Sequence, residues 1–226
     1  MAQAPSTANI ADACLRLGIT YSAVSLLRPA TANCVFSGRA RPVRHFGSVD
    51  LFLEAIAMSD PGDVLVVDND GREDEGCVGD LVTLEAAMAG LAAIAIWGRH
   101  RDTPDLASIP IALFSLGPCP SGPRRLDPVS EDRFDVARIG PLAVTRGDMV
   151  VGDSDGLVIL PFERFEEAHR EALAIRDVEG AQAERMRAGQ SLREQLDWDS
   201  YLERRSADPS LTLRQYLVER RAAIET

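Results

Sequence analysis

Between residues 61 and 114 the chain alternates short apolar runs with one helical stretch, and few folds accommodate that order. Val64-Leu65-Val66-Val67-Asp68 follows the turn Pro61-Gly62-Asp63 as an uninterrupted apolar run, the pattern of a strand buried on both faces. Residues 69–79 read as a polar loop. Asp80 then opens a predicted helix with Leu81, Leu84 and Met88 on one face, stopped by Gly90. Residues 91–97 give a second buried strand and residues 109–114 a third. Two strands joined through a helix at this spacing pair in parallel with a crossover connection, so the fold class is α/β.

The flanks fill in around that unit. Residues 8–18 predict a helix, with Ile10, Cys14 and Leu17 at helical spacing and Gly18 at its C-terminal cap. Residues 38–45 alternate in polarity and predict an exposed strand, and residues 50–58 predict a helix. Met149-Val150-Val151 and Leu157-Val158-Ile159-Leu160 flank a turn-rich segment and predict an antiparallel pair. After Pro161 the composition shifts. Residues 162–188 predict a charged helix with Phe162, Phe165, His169 and Leu173 on one face, stopped by Gly189. Ser191 and Glu194 form a capping box, and a last helix is expected over 211–224. The expected organisation is a catalytic domain over 1–161 and a helical extension over 162–226 that serves packing or oligomerisation.

Several function classes are excluded by composition. All 24 basic residues are arginine, so the chain has no lysine for a Schiff base or for a Walker-type phosphate loop. A net charge of −11 repels phosphate backbones and argues against nucleic-acid binding. Cys14, Cys34, Cys77 and Cys119 are scattered with no CxxC pair, which argues against a zinc cluster and for free thiols in a reducing cytoplasm. No signal-peptide pattern is found at the N-terminus, and no apolar run approaches membrane-spanning length.

The candidate site lies where the two parallel strands end, since ligands of open α/β sheets bind there. One end leads into the loop 69–79 and the other into Gly98-Arg99-His100-Arg101-Asp102. Gly76 and Gly79 let backbone approach a ligand, and the helix start after them favours an anion. Arg101 offers a bidentate clamp for a carboxylate. Asp80 and Asp102 offer hard oxygen ligands to magnesium or manganese. Together they suit a small 2-oxo acid held beside a divalent metal. The plainer alternative makes Asp80 a helix cap and Arg101-Asp102 an ordinary loop ion pair.

Gly76-Cys77-Val78-Gly79-Asp80, followed after residues 81–100 by Arg101-Asp102, matches a G-x-x-x-D…R-D pattern without a gap. With Pro-Gly-Asp-Val-Leu-Val-Val-Asp at 61–68 and Gly-Asp-Met-Val-Val-Gly-Asp-Ser-Asp-Gly at 147–156, the chain resembles the RraA-like family of class II 4-hydroxy-4-methyl-2-oxoglutarate aldolases. The resemblance implies a swivelling β/β/α fold, a central sheet flanked by helices, and assembly as a homotrimer or homohexamer. It implies Asp102 as the metal ligand, Asp80 as holder of a metal-bound water, and Arg101 as the group that binds substrate and offsets enolate charge. Gly76, Cys77, Val78 and Gly79 would bind the substrate carboxylate through backbone amides. The implied reaction is a retro-aldol cleavage that releases pyruvate through a metal-stabilised enolate, with Mg2+, Mn2+ or another divalent ion, and oxaloacetate decarboxylation shares that enolate. The family also contains non-catalytic protein-binding regulators of a ribonuclease, which is the alternative. A quinone methyltransferase name has been attached to it too, but no glycine-rich cofactor loop follows an N-terminal strand here.

Two features depart from the family pattern. Arg72-Glu73-Asp74-Glu75 is charged where family loops are more often glycine-rich and apolar, and Glu73, Asp74 or Glu75 reads as an addition to the metal shell, as a group that repels a second carboxylate on the substrate, or as part of a solvated acidic loop. His100 reads either as a general acid or base or as a structural histidine.

Overall fold

The computed structural model describes residues 4–32 and 34–219. Residues 19–166 form one compact unit, and the chain up to residue 18 with that from residue 167 forms another. The second unit is helical. Its α1 (Thr7–Leu17) has a complete capping box from Ser6 and Asn9, and ends on Gly18 in the left-handed conformation at φ 62°.

The larger unit is built on one eight-stranded mixed sheet. Its strands are β1 (Ser22–Val24), β2 (Arg28–Pro29), β3 (Phe36–Arg44), β4 (Val64–Asp68), β6 (Ala93–Trp97), β8 (Ala112–Ser115), β11 (Asp148–Asp153) and β12 (Gly156–Pro161). Two short pairs lie outside it: β5 (Gly76–Val78) with β7 (Arg99–His100), and β9 (Val136–Ile139) with β10 (Leu142–Thr145). The order across the sheet is β1-β12-β11-β3-β4-β6-β8-β2. β3, β4, β6 and β8 pair in parallel, and the strands outside them pair antiparallel. Helices α2 (Asp50–Ala57), α3 (Asp80–Met88) and α4 (Thr103–Leu106) complete the unit.

The central strands are wholly buried because each face meets a different apolar layer. Leu65, Val67, Ile94 and Ile96 join a cluster with Phe52 and Ile56 of α2 and Val82 and Ala86 of α3. Val64, Val66, Ala93 and Ala95 join another with Phe114, Ala137, Ile139 and Val150. That two-sided burial explains why these strands are continuous apolar runs rather than alternating ones.

Three expectations need correction. β3 is an interior strand, paired with β11 over residues 36–39 and with β4 over residues 40–44. Its alternation misled because Ser37 and Arg39 are exposed between buried Phe36, Gly38 and Ala40, while Pro42 falls beyond the reach of β11, where no ladder donor is missed. The span of α3 agrees with expectation but its face does not: Val82, Thr83 and Ala86 are buried, while Leu81 and Met88 are 76% and 77% exposed. Apolar residues stand on more than one side of this helix, so they offer no single stripe, and the smaller Val82 and Ala86 are the ones that join the core. In α5 (Phe165–Arg187) the buried positions are Phe165, Ala168, Ala172 and Ile175, not Phe162 or Leu173. The capping box at Ser191 and Glu194 opens α6 (Leu192–Gln195), followed by α7 (Trp198–Ala207). The last helix, α8, covers Leu213–Glu219, and the expected residues 220–224 lie outside the described chain.

The loops at the ends of β3 and β4 are tied together by a buried polar network. His45 Nδ1 lies 2.9 Å from Asn69 Oδ1, and Arg125 donates to that same oxygen at 2.8 Å and to Glu75 Oε1 at 3.1 Å. Since Asn69 Oδ1 can only accept, His45 carries its proton on Nδ1. Its ring stacks on Phe52. Burial lowers the pKa of His45 below its ordinary value, and the nearby Arg125 charge adds to that, against hydrogen bonding to Asn69 and the pull of Glu75.

Two predictions follow from this packing. A Cβ at Gly38 would strike the backbone carbonyl of Gly62 and come within 2.9 Å of Val64 Cγ2. Gly38→Ala is expected to destabilise the protein by about 2–3 kcal/mol, read as a lower urea midpoint, because the obstacle is backbone. For His45, the unfolded chain takes up a proton near pH 6.5, which the folded chain resists to lower pH. The stabilisation is therefore full above pH ~6.5 and is lost as the pH falls toward the folded value. Melting temperature should drop between pH 7.5 and 5.5, and drop less in His45→Gln, whose amide can still donate to Asn69.

Candidate active site

The site is assembled by strand pairing. β5 runs parallel to β7, with Gly76 opposite Arg99 and Val78 opposite His100, and Arg101 N donates to Val78 O at 2.9 Å. The chain leaving β7 therefore crosses the start of α3. There it meets Gly79, the N-cap, which offers no side chain to the first helical turn. A Cβ at Gly79 would fall on the Asp102 carboxylate and lie 3.1 Å from Arg101 Nε. Glycine is required at 79 by this approach and not by its backbone, which is extended at φ −125°.

Arg101 Nε and Asp102 Oδ2 are 3.3 Å apart, with side chains 45% and 36% exposed. Asp102 adopts the left-handed conformation, φ 60° and ψ 35°, which aspartate tolerates better than most residues. Its carbonyl starts α4 by accepting from Asp105 N and Leu106 N. Asp80 is the first residue of α3 rather than its cap, and its Oδ1 accepts from Leu81 N at 2.8 Å. The structure thus brings Gly79, Asp80, Arg101 and Asp102 to one place.

Cys77 and Val78 point into the core, so only their main chain is available to a ligand. Burial pushes the Cys77 thiol up to about 12, which keeps it protonated and unreactive. His100 is 3% exposed, with Nδ1 at 2.7 Å from Ser115 Oγ and Nε2 at 3.0 Å from Thr103 Oγ1. Burial lowers its pKa, so a neutral ring ties β7 to β8 and α4. The acidic loop is neither uniformly solvated nor gathered around a metal position. Glu73 meets Arg99 at 2.5 Å, Asp74 meets Arg72 at 2.9 Å, and Glu75 is buried against Arg125.

Among the described residues no three or more of histidine, cysteine, aspartate and glutamate gather as a metal cage. That excludes a closed zinc-type site there. Two carboxylates flanking Gly79 do suit magnesium, which keeps most of its waters and takes one or two carboxylates. Asp102 and Asp80 are the residues that would hold it.

Sequence reading missed the segment 117–125, which carries no motif. Cys119 N donates to His100 O and Gly76 N donates to Ser121 O, both at 2.7 Å. A Cβ at Gly122 would stand 2.6 Å from an Arg101 guanidinium nitrogen. Gly117-Pro118 and Gly122-Pro123 were its only signals, and they mark turns, not contacts. Two cavities open beside it. One of about 190 Å³ is lined by residues including Arg44, His45, Asp68 and Asp127, and one of about 330 Å³ by residues including Glu75, Ser121, Gly122 and Arg124. Arg72 and Arg125 border both.

Known proteins resemble this chain in sequence and in fold. An uncharacterized protein from Methanocaldococcus jannaschii is 30% identical over 134 residues, 59% of this chain and 64% of that protein, so the match spans less than two thirds of its length. A 4-hydroxy-4-methyl-2-oxoglutarate aldolase from Thermus thermophilus is 29% identical over 127 residues, 56% of this chain and 76% of the aldolase. Among solved structures, an uncharacterized protein from Pseudomonas syringae superposes with a TM-score of 0.72 at 25% identity, covering 84% of this chain and 92% of its own. Streptomyces coelicolor RraAS2, described as an unusual member of the RNase ES inhibitor RraA family, gives 0.65 at 27% identity, covering 80% and 93%. The family model for RraA-like proteins (Aldolase/RraA) matches residues 7–159, well over half of the sequence, and the chain belongs to that family.

Proposed function

We propose that this chain is a divalent-metal-dependent carbon–carbon lyase that cleaves a 4-hydroxy-2-oxo acid to release pyruvate, with oxaloacetate decarboxylation at the same site. The observation that carries this reading is the convergence of the Arg101 guanidinium and the Asp102 carboxylate on Gly79 at the start of α3. Arg101 grips the substrate carboxylate, together with main-chain amides of residues 77–79 at the uncapped helix start; the Gly76 amide, expected to join them, is already given to Ser121 O. As the carbon–carbon bond breaks, charge gathers on the former keto oxygen, and the Arg101 guanidinium is fixed beside it before the reaction begins. Asp102 would hold the divalent ion, with Asp80 holding a water beside it, and the ion when bound would supply Lewis-acid charge for the keto group. Asp80, half-buried at the first helical position, orients water for proton transfer. The aldolase name of the Thermus relative supports the substrate class.

A second reading, a protein-binding regulator without catalysis, is supported by the likeness to RraAS2. The same assay separates the two. Pyruvate release from 4-hydroxy-2-oxo acids or oxaloacetate in magnesium is expected to fall at least about 100-fold in Arg101→Ala and to vanish on chelation with EDTA. No release above the Arg101→Ala background would sink the lyase reading and leave the regulator.

The same proposal makes the protein a homotrimer or homohexamer. The exposed Leu81, Leu84 and Met88 of α3 support it, since isolated chains seldom leave such a row in water. Light scattering should give three or six chains per particle, and the double variant Leu81→Glu, Met88→Glu should lower that number. A monomeric wild-type protein would contradict it.

A further inference from the structure

His100 takes no part in the chemistry just described, yet it stands next to the two residues that carry it. Its buried ring reaches past Arg101 and Asp102 to the residue after them, with Nε2 3.0 Å from Thr103 Oγ1. Nδ1 lies 2.7 Å from Ser115 Oγ at the end of β8. The protons along this path can be assigned. Ser115 Oγ accepts from Gly117 N at 2.9 Å, and its one proton is better placed for His100 Nδ1 than for Gly117 O at 3.5 Å. Nδ1 is therefore the acceptor, Nε2 carries the proton of the neutral ring, and Nε2 donates it to Thr103 Oγ1.

The residue bracketed by this bond departs from the usual behaviour of its position. Asp102 is the N-cap of α4, and an aspartate there ordinarily turns its carboxylate onto the free N–H groups of the first helical turn. Here the side chain makes no such bond. Asp102 is left-handed instead, and its carboxylate stands against Gly79 and Arg101 Nε. The main chain is held on either side of it: Arg101 N donates to Val78 O, and the Asp102 carbonyl accepts from Asp105 N and Leu106 N. The bond from His100 to Thr103 closes a loop across both residues. It opposes relaxation to an ordinary cap, in which the carboxylate would swing onto α4 and away from Gly79.

We propose that His100 is a positioning residue for the metal ligand: by holding the Thr103 hydroxyl it keeps Asp102 left-handed, with its carboxylate at Gly79 and free for a divalent cation. This rests on the reading of Asp102 as the ligand of that ion. Groups that orient a ligand in this way govern metal affinity without touching the metal, by about 10- to 100-fold.

Titration of the full chain with Mn2+, the free ion counted by electron paramagnetic resonance well below the melting temperature, tests this without turnover. Thr103→Val removes one hydroxyl from an exposed position. It should bind Mn2+ about tenfold more weakly than wild type, as should His100→Asn, whose amide reaches Ser115 but not Thr103; His100→Gln, whose amide nitrogen stands where Nε2 does, should stay within about twofold. A variant weakened only in packing melts earlier but binds the ion as wild type does while folded, so affinity separates positioning from stability. Wild-type affinity in Thr103→Val, or equal losses in His100→Gln and His100→Asn, would overturn the proposal. Asp102→Asn keeps it apart from the reading beneath it. Manganese lost in Asp102→Asn and kept in Thr103→Val discards the role of His100 and retains Asp102 as ligand. Manganese kept in Asp102→Asn, or not bound by the wild type, discards Asp102 as ligand and the positioning role with it.

Discussion

β4 and β6 meet water on neither face. Every side chain between Val64 and Val67, and between Ala93 and Ile96, is committed to an apolar layer, so polar residues can appear only where the strands end. Both strands point the same way, which gathers those ends on one edge of the sheet. Asp68, Asn69, Arg99, His100, Arg101 and Asp102 all occupy that edge. The chemistry of the chain is confined by the burial of its centre, and the short pair β5–β7 sets how its two halves meet.

Holding that edge in shape requires charge under the surface. Glu75 has 5% of its side chain exposed and Arg125 17%, with Asn69 and His45 closing the group. Such a group adds little net stability over a well-packed apolar one, yet removing a single member costs about 3–5 kcal/mol because the others are left buried and unmatched. Its effect is to fix the loops after β3 and β4 against the segment around residue 125, and through that segment to fix the wall beside Arg101.

Part of this was legible in the sequence. The apolar runs at 64–68 and 91–97 announced strands because burial on both faces leaves no polar residue to confuse the pattern. The spacing of Gly79, Asp80, Arg101 and Asp102 pointed to one place because the loops that carry them follow the two strands recognised at 64–68 and 91–97. β5, β7, β9 and β10 escaped because two to four residues are too short for a period to show. Glu75 looked like a solvated loop acid because its partner, Arg125, lies 50 positions away in the chain. The exposed row on α3 was placed inside because hydrophobicity alone cannot tell which of two apolar faces of a helix meets the core.

The fixed cations of the polar edge are guanidinium groups, in a chain with no lysine. Their charge does not titrate at any pH the protein can survive, so protonation there is left to histidines, carboxylates and bound water. The lack of a side-chain amine has a second effect. A ligand with a reactive carbonyl meets no ε-amino group with which to condense, so a concentrated keto acid can dwell in this cleft without forming an imine with a side chain.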